Sequence, residues 1–96
     1  MEEAFIEVRE ILIDDAKTAY IADKGVTPSD VDEVHGFQPR YFEWKPEWAV
    51  FDMIGPNRNG RFLIAGIQHI GGHQYRLVTA YWNDDGRARR IYEGNK

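Results

Sequence analysis

The chain contains no cysteine, which excludes disulfides, thiolate metal ligands and a thiol nucleophile. It has no apolar run near the ~20 residues that a membrane-crossing helix needs. It opens Met1-Glu2-Glu3-Ala4, acidic where a secretory leader would be basic. A cytoplasmic address with no membrane partner is therefore expected. There is no internal repeat and no low-complexity segment. Excess positive charge is missing too. The net charge of −4 is the wrong sign for avid, non-specific nucleic-acid binding. No glycine loop is followed by the Lys-Ser or Lys-Thr of a phosphate cradle. Ser29 does not sit in a nucleophile elbow.

What is present fits one domain of 96 residues. The charge is uneven. Through His35, Arg9, Lys17 and Lys24 face ten carboxylates, whereas basic residues outnumber acidic ones from Gly36 onward. Two solvated faces that attract each other account for this, and so does a local polyanion site.

Phe5 to Ile13 is β-branched and loosely alternating, which predicts a first strand. Asp14 caps a helix from Asp15 to about Asp23, with Gly25 as its left-handed stop. Thr27-Pro28-Ser29-Asp30 places a capping threonine, a first-turn proline and an answering carboxylate in order. A second short helix follows, with Val31 and Val34 on its apolar stripe and Gly36 at its end. Pro39 to Trp44 and Trp48 to Ile54 are aromatic and β-branched and predict two strands. Residues 55–60 form a turn. Arg61 to Ile70 and His73 to Trp82 then predict a hairpin closed by Gly71-Gly72. Asn83-Asp84-Asp85 caps a last helical turn carrying Arg87, Arg89, Arg90 and Tyr92. The expected class is α+β. An N-terminal strand and two short helices pack on an antiparallel four-stranded sheet, followed by a short C-terminal helix.

A tight Gly71-Gly72 turn pairs Ile64 with Thr79 and Phe62 with Tyr81 on one face. It sets Ile67 beside Arg76, Leu63 beside Ala80 and Arg61 beside Trp82 on the other. Asp52 joins this second face if Ile54 lies opposite Arg61. Arg76 is then expected to pair with a carboxylate such as Asp52. Arg61 and Trp82 form a cross-strand stack or, alternatively, face a ligand. Both faces are partly apolar, so the hairpin is expected at the sheet centre. His69 and His73 fall on opposite faces and His35 has no evident partner, so neither a metal site nor any other cofactor is expected. Tyr41, Phe42, Trp44 and Trp48 cluster where two strands form an open edge. Such aromatics build a core or anchor a protein partner, including a second copy of the chain.

Three stretches resemble one family. They are residues 20–34 (Tyr20 through Lys24-Gly25-Val26-Thr27-Pro28-Ser29-Asp30 to Val34), residues 53–63 (Met53-Ile54-Gly55-Pro56-Asn57-Arg58-Asn59-Gly60-Arg61-Phe62-Leu63), and Arg76 to Ala80 running on to Arg89-Arg90-Ile91-Tyr92. Their order and spacing are similar to the BrnT-like toxins of bacterial type II toxin–antitoxin systems. Asp14 and Lys17 also fall where that family often opens its first helix. The resemblance implies a RelE-like fold and a cytoplasmic endoribonuclease that needs no metal. It also implies a small DNA-binding antitoxin as partner. Under it Lys24, Arg61, Tyr81 and Arg89 are the catalytic candidates. Arg58, Arg76, Trp82 and Arg90 are the RNA-binding candidates. Tyr41, Trp44 and Trp48 are the partner-binding ones. The chain departs from the family at Asp23-Lys24, Val50 and Tyr81-Trp82, where basic residues or a histidine are usual. A toxin fold without catalysis, acting as a protein-binding module, is the alternative expectation.

Overall fold

A computed structural model describes residues 7–36 and 41–95. In chain order the elements are β1 (Glu10–Leu12), α1 (Asp15–Ala22), α2 (Pro28–Gly36), β2 (Tyr41–Lys45), β3 (Val50–Pro56), β4 (Phe62–Gly71), β5 (Gln74–Trp82) and α3 (Arg87–Asn95). The class is α+β, as the alternation of patterns predicts. The sheet is five-stranded and mixed rather than four-stranded and antiparallel, with order β1-β5-β4-β3-β2. Strands β2 to β5 are antiparallel neighbours. The N-terminal strand joins the sheet instead of packing on it, running parallel to β5 with Ile11 opposite Tyr75. The expected strand starts at Phe5 and Pro39 lie outside the described residues. Among the described residues no helix is long and apolar enough to cross a membrane.

The first two of the three helix starts read from the sequence are built as expected. The Asp14 carboxylate accepts from Lys17 N at 2.7 Å and opens α1. Gly25 adopts φ +76°, a left-handed conformation that costs glycine nothing. That turn lets Val26 N–H reach Ile21 O at 3.1 Å and close the helix. At α2 the Thr27 hydroxyl accepts from Asp30 N at 3.1 Å, and the Asp30 carboxylate accepts from Thr27 N at 2.9 Å. This is a reciprocal cap. Helix α3 is longer than one turn. Asn83 accepts from Ala88 N and Asp85 from Arg87 N, while Asp84 is engaged elsewhere.

The core has two parts because the sheet has two covered faces. On one face Ile21, Val26, Val31 and Val34 from α1, α2 and the loop between them pack on Met53, Leu63, Ala65, Ile67, Tyr75, Leu77 and Ala80. On the other, Ala88 and Tyr92 of α3 pack on Ile54, Phe62 and Ile64. Strand β4 is central, and residues 62–67 are all buried. A strand covered on both sides reads as a continuous apolar run, and Phe62 to Ile67 is one. Strand β3 runs on through Gly55-Pro56, two residues beyond the expected end. Trp48 lies in the turn before it, not in the strand.

The β4–β5 register differs from the expected one. The hairpin turn is Gly72-His73, one residue later than the sequence suggests, with Gly71 opposite Gln74. Two irregularities follow. Ile70 is an extra residue in β4, and Val78 is an extra residue in β5 between Leu77 (opposite Ile67) and Thr79 (opposite Gly66). Each such bulge reverses the alternation beyond it. Arg76 therefore shares a face with Gln68, Thr79 and Tyr81, whereas Trp82 lies opposite Leu63 on the face covered by α1 and α2.

Removing the α2 cap tests this local account. Thr27→Ala is expected to lower stability by about 1 kcal/mol, and Asp30→Ala by a comparable amount. Ser29→Ala, exposed in the first turn, is expected to change little. Denaturant titration reads the three, and equal stability for all of them would contradict the capping account.

Candidate functional site

Only part of the second sheet face lies under α3. The remainder, where Val50, Asp52, Gly66, Gln68, Arg76, Thr79 and Tyr81 face outward, is the floor of a groove of about 1120 Å³. Strand β1 pairs with β5 only as far as Arg76. Beyond that point α1 packs against β5, and Asp14, Lys17 and Tyr20 form one wall. Arg87 at the start of α3 forms another. Lys45, Glu47 and Trp48 of the β2–β3 connection form a third. Ligand sites are concave and set a few polar groups among apolar and aromatic ones, and this groove has both kinds in its lining.

Three cations in this groove have no carboxylate partner among the described residues. Arg76 Nε donates to the neutral Gln68 amide oxygen at 2.9 Å. Lys17 Nζ stands 5.2 Å from the Tyr20 ring centroid. The Arg87 side chain makes no hydrogen bond or ion pair with any described residue. Lys45 is paired with Glu43 at 3.3 Å. The Thr79 hydroxyl, donating toward it, and the nearby Lys24 and Lys17 hold the Tyr20 phenol below its ordinary value.

Among the described residues Asp52 is the one carboxylate on the groove floor. It lies opposite Gly66 in β4 and Glu43 in β2. No described donor reaches it. A side chain at position 66 would meet the Asp52 carboxylate at 3.5 Å and the Thr79 methyl at 3.3 Å, so glycine keeps the floor open there. Burial pushes the Asp52 carboxyl above its usual range. Glu43 and Glu47 push the same way, and Lys45 and Arg87 oppose them. The expected Arg76–Asp52 ion pair is not formed, because Arg76 is bound to Gln68 instead.

The residues singled out from the sequence fall into two groups. Arg58, Arg61, Trp82 and Arg89 gather around the β3–β4 turn. Arg61 makes a bidentate pair with Asp84, at 3.1 and 3.0 Å, and lies 4.4 Å above the Trp82 ring. That is the cross-strand stack, and the guanidinium holds Asp84 below the usual carboxylate range. Trp82 Nε1 donates to Gly25 O at 2.9 Å. Arg58 is bound to Glu33. Arg89 lies over Phe62, reaches Gly60 O and approaches Glu93. The second group, Arg76 and Tyr81, lines the groove. Lys24 joins its rim through the Tyr20 ring, 5.1 Å from Nζ. Arg90 is exposed and folds back over Gly86.

The aromatic edge is also divided. Trp44, 49% exposed, leans on Phe51 on the α1/α2 face, with ring centroids 4.8 Å apart. Tyr41 packs toward α3. Trp48, 71% exposed, stands on the groove rim. His35 has a partner after all, since Nε2 donates to Val8 O at 2.7 Å. His69 is turned onto Gly72 O and His73 toward Glu7. No group of three or more His, Asp or Glu among the described residues is placed to hold a metal ion.

Lys17, Tyr20, Asp52 and Arg87 do not assemble as a site from the sequence alone. The available signal was Asp52, the one charged residue inside Val50-Phe51-Asp52-Met53-Ile54. Comparison with known proteins adds no neighbour: no family model, no curated protein and no solved structure matches the chain.

The half-buried, unbonded Asp52 is expected to cost stability. Its folded value is raised, so the penalty is fully present above that value and is relieved as pH falls through it toward the unfolded value of ~3.9. Asp52→Asn is therefore expected to stabilise the protein at pH 7 by up to about 1 kcal/mol. The gain is expected to shrink toward pH 4. Thermal melts across that range check this, and a destabilised or pH-independent variant would contradict it.

Proposed function

We propose that the chain is a toxin-like protein that engages single-stranded RNA in the groove between α1, α3 and the open sheet face. Metal-independent cleavage is the chemistry that its resemblance to BrnT-like toxins implies. The observation that carries the reading is the set of three cations, Lys17, Arg76 and Arg87, left without carboxylate partners among the described residues beside Tyr20, Tyr81 and Trp48. Phosphates take up unpaired lysines and arginines, while bases stack on aromatic rings. In cleavage of this kind a 2′-hydroxyl gives its proton to a base and attacks the adjacent phosphorus. The bond from phosphorus to the 5′-oxygen of the next nucleotide breaks, and that oxygen takes up a proton from an acid. Arg76 and Arg87 would offset the charge that develops on the phosphoryl oxygens. Tyr81, on the same face, is the acid–base candidate retained from the sequence.

A second reading rests on Trp44 and Trp48, both exposed beside the sheet's β2 edge. An open edge flanked by tryptophans suits strand addition by a protein partner, and an antitoxin or a second copy of the chain would supply it.

Fluorescence anisotropy with a labelled RNA octamer tests the first reading. Wild-type binding is expected to weaken about tenfold or more in the Arg76→Ala/Arg87→Ala variant. Its log–log salt slope is expected to shrink by about 0.7 for each lost phosphate contact. Arg58→Ala, which releases only the Nε contact with Glu33 and keeps the backbone one, is expected to bind as wild type. Identical affinities and slopes for all three proteins would overturn the reading. Cleavage of the same RNA in chelator, lost in Tyr81→Phe, would extend it from binding to catalysis.

A further inference from the structure

Asp52 is not explained by the fold. An ionised carboxylate is an acceptor only, with two oxygens side by side. Here no described side chain or backbone N–H donates to either oxygen, although the residue is half-buried. A carboxylate that faces an open groove with no protein donor has both oxygens available to donors on a ligand. The surroundings are specific. Gly66 removes the side chain that would otherwise stand beside the carboxylate. The neighbouring floor positions are the Thr79 methyl, Val50 and the Tyr81 ring. That sets one carboxylate beside a small apolar patch, with cations farther out, in a groove whose volume of about 1120 Å³ accommodates a nucleotide.

From this arrangement we infer that Asp52 reads a guanine base, its two oxygens accepting from the N1–H and the 2-amino group of the base edge. The inference rests on the RNA reading and specifies its base preference. The choice among bases follows from donor patterns. Guanine alone presents two adjacent donors on its pairing edge. Adenine and cytosine present one amino group beside a ring nitrogen acceptor, which an ionised carboxylate repels. Uracil presents one N–H between two carbonyl oxygens. The phosphate of the same nucleotide is directed to Arg87, Arg76 or Lys17, and the ring lies on the Gly66–Thr79 patch. The charged groups facing Asp52 are Glu43 and Lys45 from β2, Glu47 from the β2–β3 connection and Arg87 from α3. Strands β4 and β5 contribute only the uncharged Gly66 and Thr79 beside it. Protonation of Asp52 removes one acceptor, so the preference is lost as pH falls through its raised value.

Equilibrium titration of the full chain with GMP, AMP, IMP and XMP tests this. GMP is expected to bind at least about tenfold more tightly than AMP. IMP, which lacks the 2-amino donor, is expected to fall between them. The side-chain amide introduced by Asp52→Asn carries one acceptor and one donor group, matching the N1–H and 2-carbonyl of xanthine. The variant is expected to lose the GMP preference and favour XMP. Thermal melting of the variant verifies that it is folded. Equal affinities for the four nucleotides, or a GMP preference unchanged in Asp52→Asn, overturn the inference. An RNA octamer that binds through Arg76 and Arg87 without base preference overturns it while leaving the RNA reading intact. Absence of any nucleotide or RNA binding overturns both.

Discussion

Val78 is the extra residue of β5: Gly66 of β4 lies opposite Thr79, and the next residue, Ile67, lies opposite Leu77. A regular strand would set Leu77, Thr79 and Tyr81 on one face and Arg76, Ala80 and Trp82 on the other. With the bulge, Leu77, Ala80 and Trp82 all enter the core under α1 and α2. Arg76, Thr79 and Tyr81 come out together on the other side. The bulge thus satisfies the core and gathers the groove's polar side chains in one step. Bulges often re-aim side chains at functional sites in this way. Helix α3 supplies the complementary constraint. Its apolar face is small, essentially Ala88 and Tyr92 with Ile91 beside them. It covers Ile54, Phe62 and Ile64 and leaves the rest of that face open.

The basic residues divide by what they already hold. Around the β3–β4 turn Arg58 has Glu33, Arg61 has Asp84 and Trp82, and Arg89 has Gly60 O and Glu93. These contacts tie the turn to α2, α3 and the end of β5. They are exposed, so each ion pair contributes little on its own, but together they fix the turn's position. In the groove Lys17, Arg76 and Arg87 have no carboxylate partner among the described residues, and Asp52 has no described donor. A ligand that brings anionic groups to the cations and donors to the carboxylate satisfies both sets.

Much of the fold was legible in the sequence because its signals are local. Asp14, Thr27, Asp30 and Gly25 mark helix ends by hydrogen bonds that span only a few residues. The central place of the hairpin follows from apolar residues on both faces of β4. The parallel β1–β5 pairing was not legible, because joining strands distant in sequence leaves no local trace. The faces of β5 were not legible either. A single bulge residue, Val78, is an ordinary β-branched residue with no turn chemistry to announce it. That one difference placed Arg76 with Trp82 instead of Tyr81. The expected face holding Arg61, Arg76 and Trp82 is therefore divided, with Arg61 and Trp82 at a braced turn and Arg76 in an open groove.

Backbone amide shifts of the labelled protein, followed while an RNA tetranucleotide is added, bear most directly on the claim that the open face is the working surface. The largest changes are expected at Gly66, Arg76, Thr79, Tyr81 and Arg87, with little change at Arg58, Arg61 and Arg89. Changes centred on Arg58, Arg61 and Arg89, with the groove amides unmoved, would contradict it.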